Sequence, residues 1–220
     1  MKFFVKFLKT VIAFLLVPFC LGGFWTIWQV IMGSNMTGAI WVSILAGVIF
    51  WVFIFIFLPE PKWLYVLGHE LTHAIWSLPF GGKLRKIKVT SGGGHVLTTK
   101  SNFLISLAPY FFPFYVVLAI IIFAVGNIFW DWSPYVSIFY FFIGFAYAFH
   151  ITLTLKILKI EQPDIVKEGY IFSTVVILLG NICVLLIGIL ILSTKMNVSS
   201  SFDLWINNTF WIYHYIGNFF

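Results

Sequence analysis

Charged side chains are scarce in this sequence: they make up 9% of its 220 residues, while 61% of the residues are hydrophobic. A water-soluble globule of this size needs a polar surface, which so few charges cannot supply. The composition therefore excludes an ordinary soluble domain and predicts a protein with several membrane segments.

Acidic residues are the scarcer charge, with 7 Asp and Glu against 13 Lys and Arg. Most of the basic excess lies at the N-terminus and between Lys83 and Lys100. No basic face interleaved with aromatic residues accompanies it, so we expect contact with the lipid bilayer and no nucleic-acid partner. The only cysteines, Cys20 and Cys183, lie far apart in apolar segments. They indicate neither a disulfide framework nor a Cys-type zinc site.

The apolar runs predict an all-α polytopic membrane protein with about six membrane segments. We find no internal repeat and no second domain, so residues 1–220 are predicted to form a single membrane-embedded domain. The tail, residues 193–220, is polar at first and then aromatic, which is typical of a helix lying in the membrane interface. The predicted segments are about Val11 to Met32, Ala39 to Leu58, Lys62 to Leu78, Phe103 to Phe129, Tyr135 to Leu158 and Tyr170 to Leu192.

A small β-hairpin is predicted between Phe80 and Lys100, directly after the third segment. Two β-prone runs flank the triple glycine Gly92-Gly93-Gly94, which is a turn signal. The stretch is basic, so we expect it on the cytoplasmic side of the membrane.

The third segment carries a His-Glu-x-x-His motif, with His69, Glu70 and His73. On a helix the two histidines lie on one face about one turn apart, and Glu70 lies beside them. Neutral imidazoles suit Zn²⁺, and a nearby carboxylate can deprotonate a water that the metal acidifies. Polar residues at membrane depth are costly, so we interpret the motif as a functional site.

The chain resembles the site-2 proteases, a family of intramembrane zinc metalloproteases, and above all the compact bacterial members. The resemblance covers about Lys62 to Asn181 and rests on four elements. These are the motif Gly68-His-Glu-Leu-Thr-His-Ala74, the glycine-rich hairpin, Leu107-Ala-Pro-Tyr110, and a loop containing Asp164 two membrane segments after the motif.

The resemblance implies a zinc site with His69, His73 and Asp164 as ligands and Glu70 as the general base. The family usually has glycine directly after the aspartate, whereas Ile165 follows Asp164 here. A physical argument also favours Asp164, because Pro163 can break the helix and thereby expose the Asp164 carboxylate. The same carboxylate could instead cap the sixth helix, where an acid in the first turn is favoured. The alternative third ligands are Glu161, Glu168 and His150.

The implied function is regulated intramembrane proteolysis by a zinc metalloendopeptidase whose metalloprotease core spans residues 62–192. Its partners would be membrane-anchored substrate proteins, in a bacterial inner (plasma) membrane, with the active site toward the cytoplasm. A substrate helix must unwind to be cut, and an exposed strand edge can hold the extended segment. The candidate substrate-binding residues are in the hairpin: Gly92, Gly93, Gly94 and Val96.

Two other functions remain open. The protein could be a non-catalytic zinc-binding membrane protein that holds a partner transmembrane helix. It could also be a metal carrier, although six segments without repeats or further intramembrane acids offer little of a pathway.

Overall fold

The computed structural model describes residues 2–34, 36–90, 93–192 and 197–218. Most of these residues are helical, and two strands form a hairpin. In chain order the elements are α1 (Lys2–Gly33), α2 (Gly38–Phe57), α3 (Lys62–Ser77), β1 (Leu84–Thr90), β2 (Gly93–Thr98), α4 (Phe103–Leu107), α5 (Phe114–Trp130), α6 (Val136–Ile157), α7 (Pro163–Glu168), α8 (Tyr170–Leu192) and α9 (Val198–Gly217).

The chain divides into two compact units. One consists of Met1–Met36 together with Pro163–Phe220, and the other of Thr37–Gln162. The boundaries fall at the α1–α2 connection and in the turn before α7. The single membrane-embedded domain stays a prediction, because this division describes only how compactly each part packs.

Within the described residues, four helical stretches are long and apolar enough to cross a membrane. They are Phe4–Gly33, Gly38–Phe57, Ser133–Ile157 and Tyr170–Leu192. A fifth candidate is the pair Phe103–Tyr110 and Phe114–Trp130, which bends by 79° and forms either a broken span or a re-entrant loop. Large apolar side chains on these helices are exposed, as lipid contact requires. The all-α, membrane-type fold is confirmed at this level.

Helix α3 is shorter than the six-segment prediction requires. Its 16 residues span about 24 Å at 1.5 Å per residue, whereas the hydrocarbon core of a bilayer is about 30 Å thick. The structure therefore supports four or five spans, and a full third span through α3 stays a prediction.

In the first unit, α1 packs against α8 and α9 through small residues. A Cβ at Gly22 would lie 2.5 Å from Thr209 Oγ1, and one at Gly23 would lie 2.5 Å from Ile182 Cγ2. The indole Nε1 of Trp205 donates a hydrogen bond to the carbonyl oxygen of Phe19 at 2.8 Å. The predicted interfacial tail is thus a helix with one face buried against α1, and its position in the membrane interface stays a prediction.

In the second unit, α2 and α6 cross at very short range. A Cβ at Gly47 would overlap the carbonyl oxygen of Phe141, and a Cβ at Gly144 would overlap that of Ile44. Glycine is therefore required at both positions for the helices to approach this closely.

Hydrogen bonds of two tyrosines connect α3 to α5 and α6. The hydroxyl of Tyr65 hydrogen bonds with Thr154 Oγ1 on α6 at 3.1 Å, and the hydroxyl of Tyr115 on α5 donates to the carbonyl oxygen of Leu64 at 2.5 Å. The Tyr115 ring lies so close to α3 that a Cβ at Gly68 would be 2.8 Å from it. These contacts fix α3 within its unit.

The predicted β-hairpin after the motif helix is confirmed. Strands β1 and β2 pair antiparallel as a two-stranded sheet, with Ile87 opposite Val96 and Thr90 opposite Gly93. Gly93 has φ of 141°, a backbone conformation that favours glycine. Gly92, one of the candidate substrate-binding residues, lies outside the described residues. Both strands contact α3.

Candidate metal centre

His69 and His73 lie next to each other on one face of α3, as their spacing predicts. Their ring centroids are 4.9 Å apart and the rings are nearly perpendicular, with an interplanar angle of 81°. His73 is buried, and His69 is partly buried. Two imidazoles on adjacent turns can reach one metal ion.

The orientation of the His73 ring is set by a backbone carbonyl. His73 Nδ1 lies 2.8 Å from the carbonyl oxygen of Ile105 in α4. A carbonyl can only accept, so Nδ1 carries the proton and donates, and the ring's lone pair is on Nε2. A metal-binding histidine usually shows this arrangement, which fixes the tautomer and raises the basicity of the coordinating nitrogen.

The short helix α4 holds the Ile105 carbonyl in place. Its N-cap is Asn102, whose side-chain oxygen accepts a hydrogen bond from the Ile105 backbone N–H at 2.9 Å. The cap acts on the same residue whose carbonyl contacts His73. Asn102 therefore stabilises the helix end that orients the His73 ring.

His69 is enclosed by aromatic rings. The ring of Tyr110, fully buried, meets the His69 ring edge-on with centroids 5.3 Å apart, and the Tyr65 ring centroid lies 6.0 Å away. Tyr110 belongs to the turn Ala108–Tyr110, part of the segment on which the family resemblance rests. These rings exclude bulk water from one side of His69 and restrict its rotamer.

Glu70 is buried, with 6% of its surface exposed, and strand β2 passes directly over it. A Cβ at Gly94 would lie 2.9 Å from Glu70 Cγ and 2.7 Å from Val66 Cγ1. Only glycine lets the strand approach α3 this closely. The hairpin therefore packs against the side-chain stem of Glu70, the residue expected to act as general base.

His150 on α6 lies in the same unit and is 6% exposed. It lines a small cavity together with His69, Thr72 and Tyr65. The cavity volume of about 10 Å³ is close to what one water molecule needs. His150 was predicted as an alternative ligand, and it is positioned beside the motif.

Asp164 is the second residue of α7, directly after Pro163. The break predicted at Pro163 is observed, since α6 ends at Ile157 and α7 begins at Pro163. Asp164 belongs to the unit that contains Pro163–Phe220, whereas the motif belongs to Thr37–Gln162. Its place in a first helical turn also matches the capping interpretation.

The alternative ligands Glu161 and Glu168 differ in their surroundings. Glu168 is 6% exposed and forms an ion pair with Lys9, whose Nζ lies 2.5 Å from Oε2. A buried carboxylate paired with lysine is a poor candidate for a metal ligand, because releasing it would leave the partly buried ammonium of Lys9 without its counter-ion. Glu161 is exposed, in the turn that precedes α7.

The residues of the motif suit a divalent metal ion. His73, whose tautomer is fixed by a carbonyl, and His69, which lies against the rings of Tyr65 and Tyr110, can together bind a divalent metal ion, and a buried glutamate lies on the same helix turn. Calcium and magnesium prefer oxygen ligands, so this donor set favours a transition metal or zinc.

A second, larger cavity adjoins the site. Its volume is about 610 Å³, its lining is almost entirely apolar, and it lies between α3, α5 and α6. Tyr115 and Phe149 line both this cavity and the small one beside His69. Several of its other lining residues, including Ile122 and Phe142, are exposed at the protein surface, where lipid would contact them.

Several residues of the site were not predicted from the sequence. Tyr65 stands four residues before His69, so helical spacing could have placed it on the same face. Tyr110 lies in the segment Leu107-Ala-Pro-Tyr110, on which the family resemblance rests, but its contact with His69 depends on the bend after α4. The Ile105 carbonyl could not be identified, because every residue has one.

The chain matches no protein-family model, no curated protein and no solved structure. The fold and the site therefore define its class only broadly. It is an all-α protein with helices apolar enough to cross a membrane, and one short helix presents two neighbouring histidines and a buried glutamate.

Proposed function

We propose that the protein is an intramembrane zinc metalloendopeptidase that hydrolyses peptide bonds in membrane-anchored proteins. The observation that carries the proposal is the pair of adjacent histidine rings on α3, with His73 Nδ1 bound to the Ile105 carbonyl and Glu70 buried beside them. This combination supplies metal ligands in a fixed tautomer and a base on the same helix turn.

We propose Asp164 as the third metal ligand. In support, Asp164 is partly buried and stands directly after the break between α6 and α7. A His₂Asp donor set would leave room for a water molecule on the metal, as a catalytic zinc site requires. The Lys9 ion pair of Glu168 further favours Asp164 over that residue.

When bound, the metal lowers the pKa of a water molecule and polarises the scissile carbonyl. Glu70 accepts a proton from that water as the water oxygen bonds to the carbonyl carbon. The carbon–nitrogen bond then breaks, and Glu70 passes the proton to the departing amine. The second proton of the water also passes to the amine, so the products are a carboxylate and an ammonium group, and Glu70 returns to its starting state.

The substrate would bind as an extended strand along the hairpin. A helical segment must be unwound before cleavage, because its backbone groups are hydrogen bonded within the helix. Strand β2 is the edge that passes over Glu70, and its Gly94 and Val96 are described. An added strand there would bring a peptide bond near the general base.

We propose six membrane segments, with α3 and the bent α4–α5 pair also within the bilayer of a bacterial inner membrane. The basic hairpin would then face the cytoplasm. Single cysteines at Lys88 and Asp131, in a background lacking Cys20 and Cys183, test the orientation by labelling with an impermeant maleimide. We expect Lys88→Cys to react only after the membrane is opened and Asp131→Cys to react in intact cells. The reverse pattern would contradict the orientation.

The decisive experiment compares wild type with Glu70→Gln. Both are purified in detergent, their zinc content is measured, and each is incubated with a set of single-span reporter proteins whose release of a soluble tag is followed. We expect equal zinc content and a fall in cleavage rate of about 10²- to 10⁴-fold, the usual contribution of a general base.

A chelator serves as the second arm of this experiment. Cleavage by wild type should stop on metal removal and return when zinc is added. Cleavage at the wild-type rate by Glu70→Gln would reject the hydrolase assignment. Zinc binding without any cleavage would favour a non-catalytic module that holds a partner helix.

A further inference from the structure

A third histidine lies beside the motif and has no role in the chemistry above. His150 is 6% exposed, and none of the described residues offers a hydrogen-bond partner to its buried Nε2 atom. A buried polar nitrogen without a partner destabilises the folded protein. Such an atom suggests a partner that arrives with the ligand.

The position of His150 points to the reaction site. It lines the same small cavity as His69, and that cavity has room for about one water molecule. The rings of Tyr115 and Phe149 also line the cavity, so part of its wall is apolar. A hydrogen bond made in such a place is stronger than one made in water.

His150 is not part of the possible ligand group. The group of candidate ligands among the described residues includes His69 and His73 but not His150. His150 is therefore better placed to contact a molecule bound to the metal than to be the metal ligand considered in the sequence analysis.

We propose that His150 is an additional catalytic residue, which donates a hydrogen bond from Nε2–H to the scissile carbonyl oxygen as that oxygen becomes negative. This inference rests on the proposed function and deepens it. A neutral imidazole protonated on Nε2 has one donor at that position. A donor already in place when charge develops stabilises the transition state more than the ground state. His150 gains and loses no proton in this role.

The test uses the full-length, metal-loaded protein and three variants. The amide of His150→Gln reaches about where Nε2 lies, the amide of His150→Asn reaches about where Nδ1 lies, and His150→Leu has no donor. Zinc content is measured for each. The binding of acetohydroxamate, whose oxygens take a negative charge at the metal, is then measured by calorimetry.

We expect unchanged zinc content in all variants. His150→Gln should bind acetohydroxamate within a few-fold of wild type, whereas the Leu and Asn variants should bind it about 10- to 100-fold more weakly, as for losing a hydrogen bond to a charged group. With a cleaved reporter, kcat should fall about 10²- to 10³-fold in the Leu variant while KM changes little.

Equal acetohydroxamate affinity in all four proteins, or no binding by wild type, would overturn the inference. A loss of zinc in the Leu and Asn variants would also overturn it, because His150 would then act as a ligand. The binding measurement needs no turnover. If wild type binds acetohydroxamate through His150 but cleaves no reporter, the proposed function fails and the inference stands.

Discussion

His73 Nδ1 donates a hydrogen bond to the carbonyl oxygen of Ile105 at 2.8 Å, linking the motif helix to α4. The acceptor is a backbone group, so no substitution of the Ile105 side chain removes it. What can be changed is the stability of the helix turn that presents it. The N-cap Asn102, bonded to the Ile105 N–H at 2.9 Å, controls that turn.

Asn102→Ala should weaken metal binding without touching a ligand. Losing an N-cap destabilises a helix end by about 0.5 to 2 kcal/mol, and the carbonyl that orients His73 would become less well placed. Disturbing such a supporting group typically lowers metal affinity about 10- to 100-fold. Competition with a zinc-sensitive dye measures the affinity. Asn102→Asp keeps a capping oxygen and should stay near wild type, and equal weakening in both variants would contradict this role.

Gly94→Ala should displace the hairpin from α3. The added Cβ would lie 2.9 Å from Glu70 Cγ and 2.7 Å from Val66 Cγ1, so strand or helix must shift. A displacement of about 1 Å near reacting groups can cost about 10²-fold in rate. We expect that loss in reporter cleavage with zinc content unchanged. His95→Ala, at an exposed position on the same strand, is the control, and equal rates for both variants would rule out a positioning role for Gly94.

Gly144→Ala should destabilise the crossing of α2 and α6. The new methyl group would overlap the carbonyl oxygen of Ile44, and relieving that overlap should cost about 1 to 3 kcal/mol. The matched control is Gly188→Ala in α8, where no described atom lies within 4 Å of the added Cβ. Thermal unfolding in detergent should show a lower midpoint for Gly144→Ala and an unchanged or higher one for Gly188→Ala. Similar midpoints would contradict the close crossing.

Asp164→Asn and Glu168→Gln separate the two loop acids. If Asp164 is the third ligand, Asp164→Asn should lose most of its zinc at a free-zinc level that saturates wild type. Glu168→Gln should keep its zinc but unfold at a lower temperature, because Lys9 loses its buried carboxylate. Zinc content and unfolding midpoint are measured on the same samples. If only Glu168→Gln lost its zinc, Glu168 and not Asp164 would be the third ligand.

The features predictable from the sequence are those with a local signal. The spacing of His69 and His73 places them on one helix face whatever surrounds them. Glycines between β-prone runs predict the hairpin, and Pro163 predicts the break before α7. Each prediction needs only a few consecutive residues.

The remaining features depend on partners distant in the chain. The ion pair of Lys9 and Glu168 joins residues 159 apart, and no local pattern predicts it. Lys9 was interpreted only as part of a basic N-terminus. The length of α3 itself was predicted to within one residue, since the apolar run ends at Leu78, the α-helix ends at Ser77, and a 3₁₀ turn follows.

The shared wall of the two cavities has a consequence for inhibitors. Tyr115 and Phe149 separate an apolar chamber of about 610 Å³ from the histidines, and the chamber is bordered by surface residues that lipid would contact. A molecule dissolved in the bilayer can thus come within one aromatic ring of the site without passing through water. A membrane-soluble chelator such as phenanthroline should therefore inactivate the protein faster than EDTA when the two are compared at concentrations that bind the metal equally. The potency of an inhibitor should then depend on its partition coefficient into the bilayer as well as on its metal-binding group.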